Sequence, residues 1–301
     1  MKPAKNHLFI AFLLFSNFCV GQEYKAKFDA LWQAGDTSKQ IALLREWEVA
    51  EPQNPELYTN YFNYYFLKSK SEYVSLSTTR PSGEHLSLED STGQVAGYFG
   101  NEVSFDQDLL QQGFNKIDEG IRLFPNRLDM RFGKIYALGQ VGDWDRFTAE
   151  IVKAVRYSGQ NNNAWTWTYD EKKEDGEDFF LSSLQTYQLN LYETENDDLL
   201  PNMRTIGEEV LKLYPEHIES LSNISITYLL TGEFDKGIAV LQRAEQIDPR
   251  DGIVLGNIAH AYTLKGDKEN ALKYYNKMLK LDDKEAVDFA KEQIKILKSS
   301  K

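Results

Sequence analysis

The chain carries a single cysteine, Cys19, in 301 residues. One thiol cannot build a disulfide framework or a cysteine-based zinc site. Histidine is almost as scarce. Beyond the N-terminal segment only His85, His217 and His260 remain, far apart and outside any HExxH arrangement. The glycine–lysine loop that cradles nucleotide phosphates, the GxGxxG turn of dinucleotide-binding folds and the GxSxG nucleophile elbow are all missing. Acidic pairs are plentiful, but with 46 acidic residues many arise by chance. No catalytic residue, cofactor or metal is therefore expected. Runs of lysine and arginine are missing too, and the formal net charge is −12. Without a basic face to meet phosphates, no nucleic acid partner is expected. The apolar run His7–Val20 falls short of the roughly 20 residues that span a bilayer.

Aromatic residues make up 13% of the chain and charged residues 27%, a balance that can bury a core rather than stay disordered. At the N-terminus, Lys2 and Lys5 precede the apolar run, which closes at Val20-Gly21-Gln22. A basic start, a short apolar stretch and small residues before a polar one predict a signal peptide over residues 1–21, cleaved before Gln22. Phe18, not a small residue, precedes Cys19, so a lipoprotein signal is not expected. The reading implies a periplasmic or secreted mature chain of residues 22–301, with no thiol and no transmembrane segment.

The clearest pattern lies in Ile218–Glu285. Leu221 and Leu255, Asn223 and Asn257, Tyr228 and Tyr262, and Gly232 and Gly266 each stand 34 residues apart. Gly232 and Gly266 fall where a chain of two antiparallel helices must reverse, and Asp267 can cap the helix that follows. Ser225, Ala259, Gly237, Ala244 and Ala271 are small enough for close helix approach, and Pro249 ends a helix at Asp248. Met278 stands where a small residue is expected, which predicts looser packing beside the C-terminus.

This period with these residue types resembles the tetratricopeptide repeat, a helix–turn–helix unit that stacks into an α-solenoid. A single repeat cannot bury its apolar stripe, so further copies are expected. Gly35 and Pro52 share the 17-residue separation of Gly232 and Pro249; Gly142, Pro125 and Pro215 mark other degenerate copies. The expected fold is all-α, a solenoid of about six helix–turn–helix repeats.

Two insertions interrupt it. Residues 69–107 contain alternating Tyr73–Ser77, Leu86–Leu88 and apolar Val95–Phe99 between turn signals, predicting a small β-meander packed on the tyrosine-rich segment 55–68. Residues 161–183 contain Trp165, Trp167 and Tyr169, then a dense run of acids. The tryptophans read either as a lid packed over the repeats or as an exposed patch for a partner. A capping helix is expected over residues 286–298.

The resemblance implies recognition rather than chemistry. It places Asn63, Phe66, Tyr136, Gln188, Tyr192, Asn223, Ile226, Asn257 and His260 on the concave face. There amides and aromatics suit an extended peptide. Asn223 and Asn257 can equally be hydrogen-bonded rungs between helices. The carboxylate clamp of some family members is not implied, because Gln188, Ser222, Ile253 and Gly256 stand where cations would be needed. The candidate partner-binding residues are Tyr192, Asn223, Asn257 and His260, with Trp165 and Trp167 as the competing site. The expected function is a non-enzymatic scaffold for a protein or peptide. The alternatives are a small-molecule or glycan-binding protein using the insertions, and a hydrolase.

Overall fold

The computed structural model of the protein describes residues 14–80 and 85–299. Lys2, Lys5 and the first part of the expected signal peptide lie outside them. Among the described residues there are thirteen α-helices and three strands. Ten helices form five hairpins, the first two being α1 (Leu14–Gln33) with α2 (Thr37–Ala50) and α3 (Pro55–Ser69) with α4 (Gln107–Leu123), while α5 (Leu128–Gln140) leads into α6 (Trp144–Asn161) through the turn at Gly142. Then follow α7 (Gly176–Tyr192) with α8 (Leu200–Leu213), α9 (Ile218–Leu230) with α10 (Phe234–Ile247), and α11 (Gly252–Lys265) with α12 (Lys268–Met278). The last helix, α13 (Lys284–Ser299), packs on α11 and α12. The fold is the helical-hairpin repeat expected, carrying one small sheet.

Four of the turns that join consecutive helices are built alike. Gly35, Gly142, Gly232 and Gly266 have φ between +66° and +81°, a region closed to most side-chain-bearing residues. The next residue then starts the second helix. Asp36, Asp143 and Asp267 each accept a hydrogen bond from the backbone N–H three residues on, at 3.1 Å. This satisfies one of the free amides of the first turn. At the other end of the repeat, Pro249 holds Asp248 extended at φ −129° and ψ 98°.

Packing divides the chain into two units. The first comprises the described residues to Ala137 together with Trp165–Lys172; the second comprises Leu138–Ala164 and the described residues from Lys173. In the second, Leu221, Leu241, Val254, Leu255, Ile258 and Tyr275 form a core from which water is excluded. Met278 belongs to that core at 2% exposure. The looseness expected there does not occur. Gly256 on the facing helix has no side chain, and a Cβ on it would sit 3.4 Å from Met278 Cε. A long residue opposite a missing one fills the same space as two small ones.

The insertion in the first unit is an antiparallel sheet of β1 (Lys70–Ser77), β2 (His85–Glu89) and β3 (Val95–Phe105). Its order is β1–β3–β2, not the sequential order of a meander. The chain leaves α3 at Ser69 and re-enters α4 at Asp106, whose N–H donates to Ser69 O at 2.8 Å. That closure places the first and last strands side by side, and β2 must take the far edge. The sheet touches the tyrosine-rich helix at its base, where Phe66 stacks on Phe105 at 5.7 Å. The alternating residues Val74, Leu76, Leu86 and Phe99 share one face and remain exposed, so the expected packing of this sheet on the helix is confined to its base.

Candidate interaction surface

The repeat puts equivalent positions of successive first helices into rows. In the second unit these helices are α7, α9 and α11. One row is Leu189, Asn223 and Asn257, and another is Tyr192, Ile226 and His260, each step being 34 residues. Leu189, Tyr192 and His260 are exposed, and Asn223, Ile226 and Asn257 are half-buried. Alternate positions face the core: Leu184, Leu191, Leu221, Ile224, Leu255 and Ile258 are buried. One stripe of each helix is thus committed to packing and the neighbouring stripe stays accessible.

The two asparagines differ. Asn223 Nδ2 donates to Gln185 Oε1 at 2.7 Å, joining α9 to α7 as a rung between hairpins. Asn257 makes no hydrogen bond from its side chain among the described residues, and none of its polar atoms is closed off from solvent. Both its donor and its acceptor are open to a partner. Gln188, expected on the accessible face, is instead buried, and its Nε2 donates to Met203 O at 3.0 Å. Ile253, on the first turn of α11, is 74% exposed and extends the apolar component of the surface. Leu189 and Ile253 were not among the candidates, although the 34-residue step from Asn223 reaches Leu189 directly.

His217, which from its position after Pro215 reads as a plain surface residue, is half-buried and caps α9. Its Nδ1 accepts from Ser220 N at 3.3 Å. Burial lowers its pKa below the ordinary 6.5, against the opposing pull of Glu219 and Glu177. Between α6 and α8, Arg156 Nε donates to Glu209 Oε1 at 2.7 Å and Lys212 Nζ to Oε2 at 2.7 Å. These bonds, Arg156's first, hold the Glu209 carboxyl down to about 2.

In the first unit, the segment Trp165–Trp167 runs beside Asn126–Leu128. Thr166 N donates to Asn126 O at 2.9 Å, and Leu128 N to Thr166 O at 3.0 Å. In an extended segment side chains two residues apart share one side, so Trp165 and Trp167 face the same way and Thr166 the other. Trp165 points into the core at 1% exposure, under the Arg131 guanidinium at 5.9 Å. Trp167 is half-buried and meets Phe132 edge-on at 6.2 Å. Trp165 thus offers almost no surface, and Trp167 part of its own. Tyr136 is exposed, edge-on to Phe66 at 6.5 Å.

A second cluster in this unit was not anticipated. Arg127, 1% exposed, forms a two-bond fork with Asp129, Nε to Oδ1 at 2.9 Å and Nη2 to Oδ2 at 2.7 Å. Its Nη1 lies 2.9 Å from Glu56 Oε1, an ion pair whose hydrogen-bond geometry is off-line, and 3.6 Å from Asp170. Burial works against the guanidinium charge, but Asp129 and Glu56 outweigh it and keep the group protonated. Glu56 is 71 residues from Arg127 in sequence, and no local signal joins them. Among the described residues no group of three or more His, Cys, Asp or Glu is placed to hold a metal ion, and no helix is long and apolar enough to cross a membrane.

Residues 218–251 and 254–285 match the tetratricopeptide repeat family. These segments are the hairpins α9–α10 and α11–α12. The chain is 26% identical over 112 residues to anaphase-promoting complex subunit 3 of Schizosaccharomyces pombe; the match covers 37% of this chain and spans 17% of that protein's length. Among solved structures it is similar to a tetratricopeptide repeat protein from Parabacteroides merdae, at 12% identity and a TM-score of 0.34 over 93% of this chain and 87% of that one. It is also similar to YrrB, a TPR protein with an unusual peptide-binding site, at 12% identity and a TM-score of 0.32 over 89% and 90%.

Proposed function

We propose that the protein is an exported, non-enzymatic scaffold that holds an extended peptide or protein segment along α7, α9 and α11. The observation that carries this reading is Asn257. It is a half-buried amide with both hydrogen-bonding ends open, in 34-residue register with Asn223 and Leu189 and flanked by Tyr192, Ile226 and His260. An amide reads backbone N–H and C=O without demanding a side-chain identity, and the apolar and aromatic neighbours add contact area. Packed helices lie about 8–10 Å apart, close to three residues of extended chain at ~3.3 Å each. Successive rungs can therefore meet every third residue of a bound segment. Export is supported by the basic start, apolar run and small-residue close of residues 1–21.

Site-specific photo-crosslinking in cells tests the surface. Photoreactive residues at Leu189 and His260 should capture the same protein partner, and one at the exposed Arg243 of α10 should not. Capture only from Arg243, or from all three equally, would overturn the reading. Mass spectrometry tests export. An extracytoplasmic chain beginning at Gln22 is expected, and a cytosolic chain retaining Met1 would contradict it.

A further inference from the structure

The first unit holds a cavity of about 320 Å³ that the proposed function does not use. Its walls are two helix stripes of matching spacing: Lys25, Asp29 and Trp32 from α1, and Glu56, Thr59 and Asn63 from α3. Lys25 and Thr59, like Asp29 and Asn63, stand 34 residues apart, so one repeat position supplies each wall. Thr168, from the short 3-10 turn Thr168–Asp170, also lines it.

Two of the lining side chains hold buried polar atoms with no partner, Glu56 Oε2 and Thr59 Oγ1. Glu56 is 4% exposed, and its other oxygen is fully engaged: Tyr169 N donates to Oε1 at 2.8 Å, and Arg127 Nη1 lies beside it. A buried carboxylate oxygen left without a donor costs free energy on the order of 1–3 kcal/mol or more. Whatever fills the cavity must donate, because an ionised carboxylate only accepts.

The charge around it narrows the class. Three carboxylates, Glu56, Asp129 and Asp170, share the single Arg127 guanidinium, while Lys25 and Asp29 neutralise each other at 2.6 Å. The balance is an excess of negative charge, so a cationic donor is favoured over a neutral one. The guanidinium already occupies the place between the carboxylates where a metal ion would sit. Trp32, which lines the cavity and is 37% exposed, supplies an aromatic ring for an organic cation.

We propose that this cavity binds a primary ammonium group on a small organic body, the ammonium donating to Glu56 Oε2 and Thr59 Oγ1 and the body lying against Trp32. This is independent of the α7–α9–α11 surface. A free amine and a peptide amino terminus carry the same group, and the test separates them. Calorimetric titration of the full chain would use n-butylammonium, butanol, a free-amine tripeptide and its N-acetylated form. Saturable binding of n-butylammonium, the tripeptide or both, with no binding of butanol or the acetylated peptide, is the expected result. Thr59→Val keeps the shape, leaves Arg127 untouched and should weaken binding about tenfold or more. Glu56→Gln should weaken it further. Because Glu56→Gln also removes a counter-charge of Arg127, Thr59→Val carries the decision if that variant does not fold. Failure of both amines to bind, equal binding of butanol, or unchanged affinity in Thr59→Val would overturn the proposal.

Discussion

Gly120→Ala should destabilise the first unit, and Gly133→Ala should stabilise it, although both replace a helical glycine with the best helix former. Alanine is worth about 0.8–1 kcal/mol over glycine in a helix interior. At Gly120, in α4, the added Cβ would lie 2.8 Å from Tyr58 Cβ and 3.0 Å from Met130 Sδ. Neither neighbour can yield easily. Tyr58 is 3% exposed, its ring tilts against Phe124 at 6.0 Å, and its hydroxyl donates to Pro52 O at 2.7 Å. Met130 is fully buried. Overpacking of this kind costs about 1–3 kcal/mol, so after the propensity gain the net change at Gly120 is a loss of up to about 2 kcal/mol. At Gly133, in α5, the nearest atom is Phe62 Cε1 at 3.6 Å, an ordinary contact. There the propensity gain stands alone, and a stabilisation of about 0.5–1 kcal/mol is expected. Urea titrations followed by far-UV circular dichroism give both differences. Equal midpoints for the two variants, or the reverse order, would refute the close-packing argument.

Gly232→Val and Gly266→Val should each cost about 1 kcal/mol or more in a thermal melt, because valine is strained at φ +76° and +81° even though open space surrounds both positions. Stability should fall as the pH drops from about 7 to 5, since the unfolded chain protonates His217 at its ordinary pKa while the fold holds that pKa lower. His217→Asn keeps a capping oxygen but no titration, and it should flatten that slope; an unchanged slope would assign the effect elsewhere. A further loss is expected as the pH falls from about 4.5 toward 2, where Glu209 gives up its bonds to Arg156 and Lys212. Glu209→Gln should reduce that acid-side loss by an amount within the roughly 0–1 kcal/mol of pairs with exposed partners.

The repeat was legible because two constraints recur with one period: an apolar stripe that must be buried, and a turn residue without Cβ. Gly35, Gly142, Gly232 and Gly266 expose the second constraint even where the first has degenerated. The sheet was legible as strands but not in its order. Alternation reveals which residues are extended, whereas the β1–β3–β2 order depends on where Ser69 and Asp106 meet in space. At the candidate surface, period alone places Tyr192, Asn223, Asn257 and His260 on one face, but it cannot separate a rung from a free amide. Asn223 and Asn257 are equivalent by repeat position, yet only Asn223 has a glutamine opposite, Gln185. Alternation likewise puts Trp165 and Trp167 on one side of their segment without showing how deeply each is buried. The Arg127–Glu56 pair leaves no mark in the sequence, because it joins residues 71 apart that only the fold brings together.

The central claim is that α7, α9 and α11 present a recognition surface whose rungs are free to bind. An extended peptide selected from a displayed random library, titrated against the folded protein and its variants, tests it most directly. Asn257→Ala and Tyr192→Ala should weaken binding about tenfold each while leaving the melting temperature unchanged, as truncation of a central interface contact does. His260→Ala should weaken it less, and Asn223→Ala should lower the melting temperature because it breaks the bond to Gln185. Normal binding by Asn257→Ala and Tyr192→Ala, with loss of binding in Trp167→Ala, would contradict the account and move the site to the insertion.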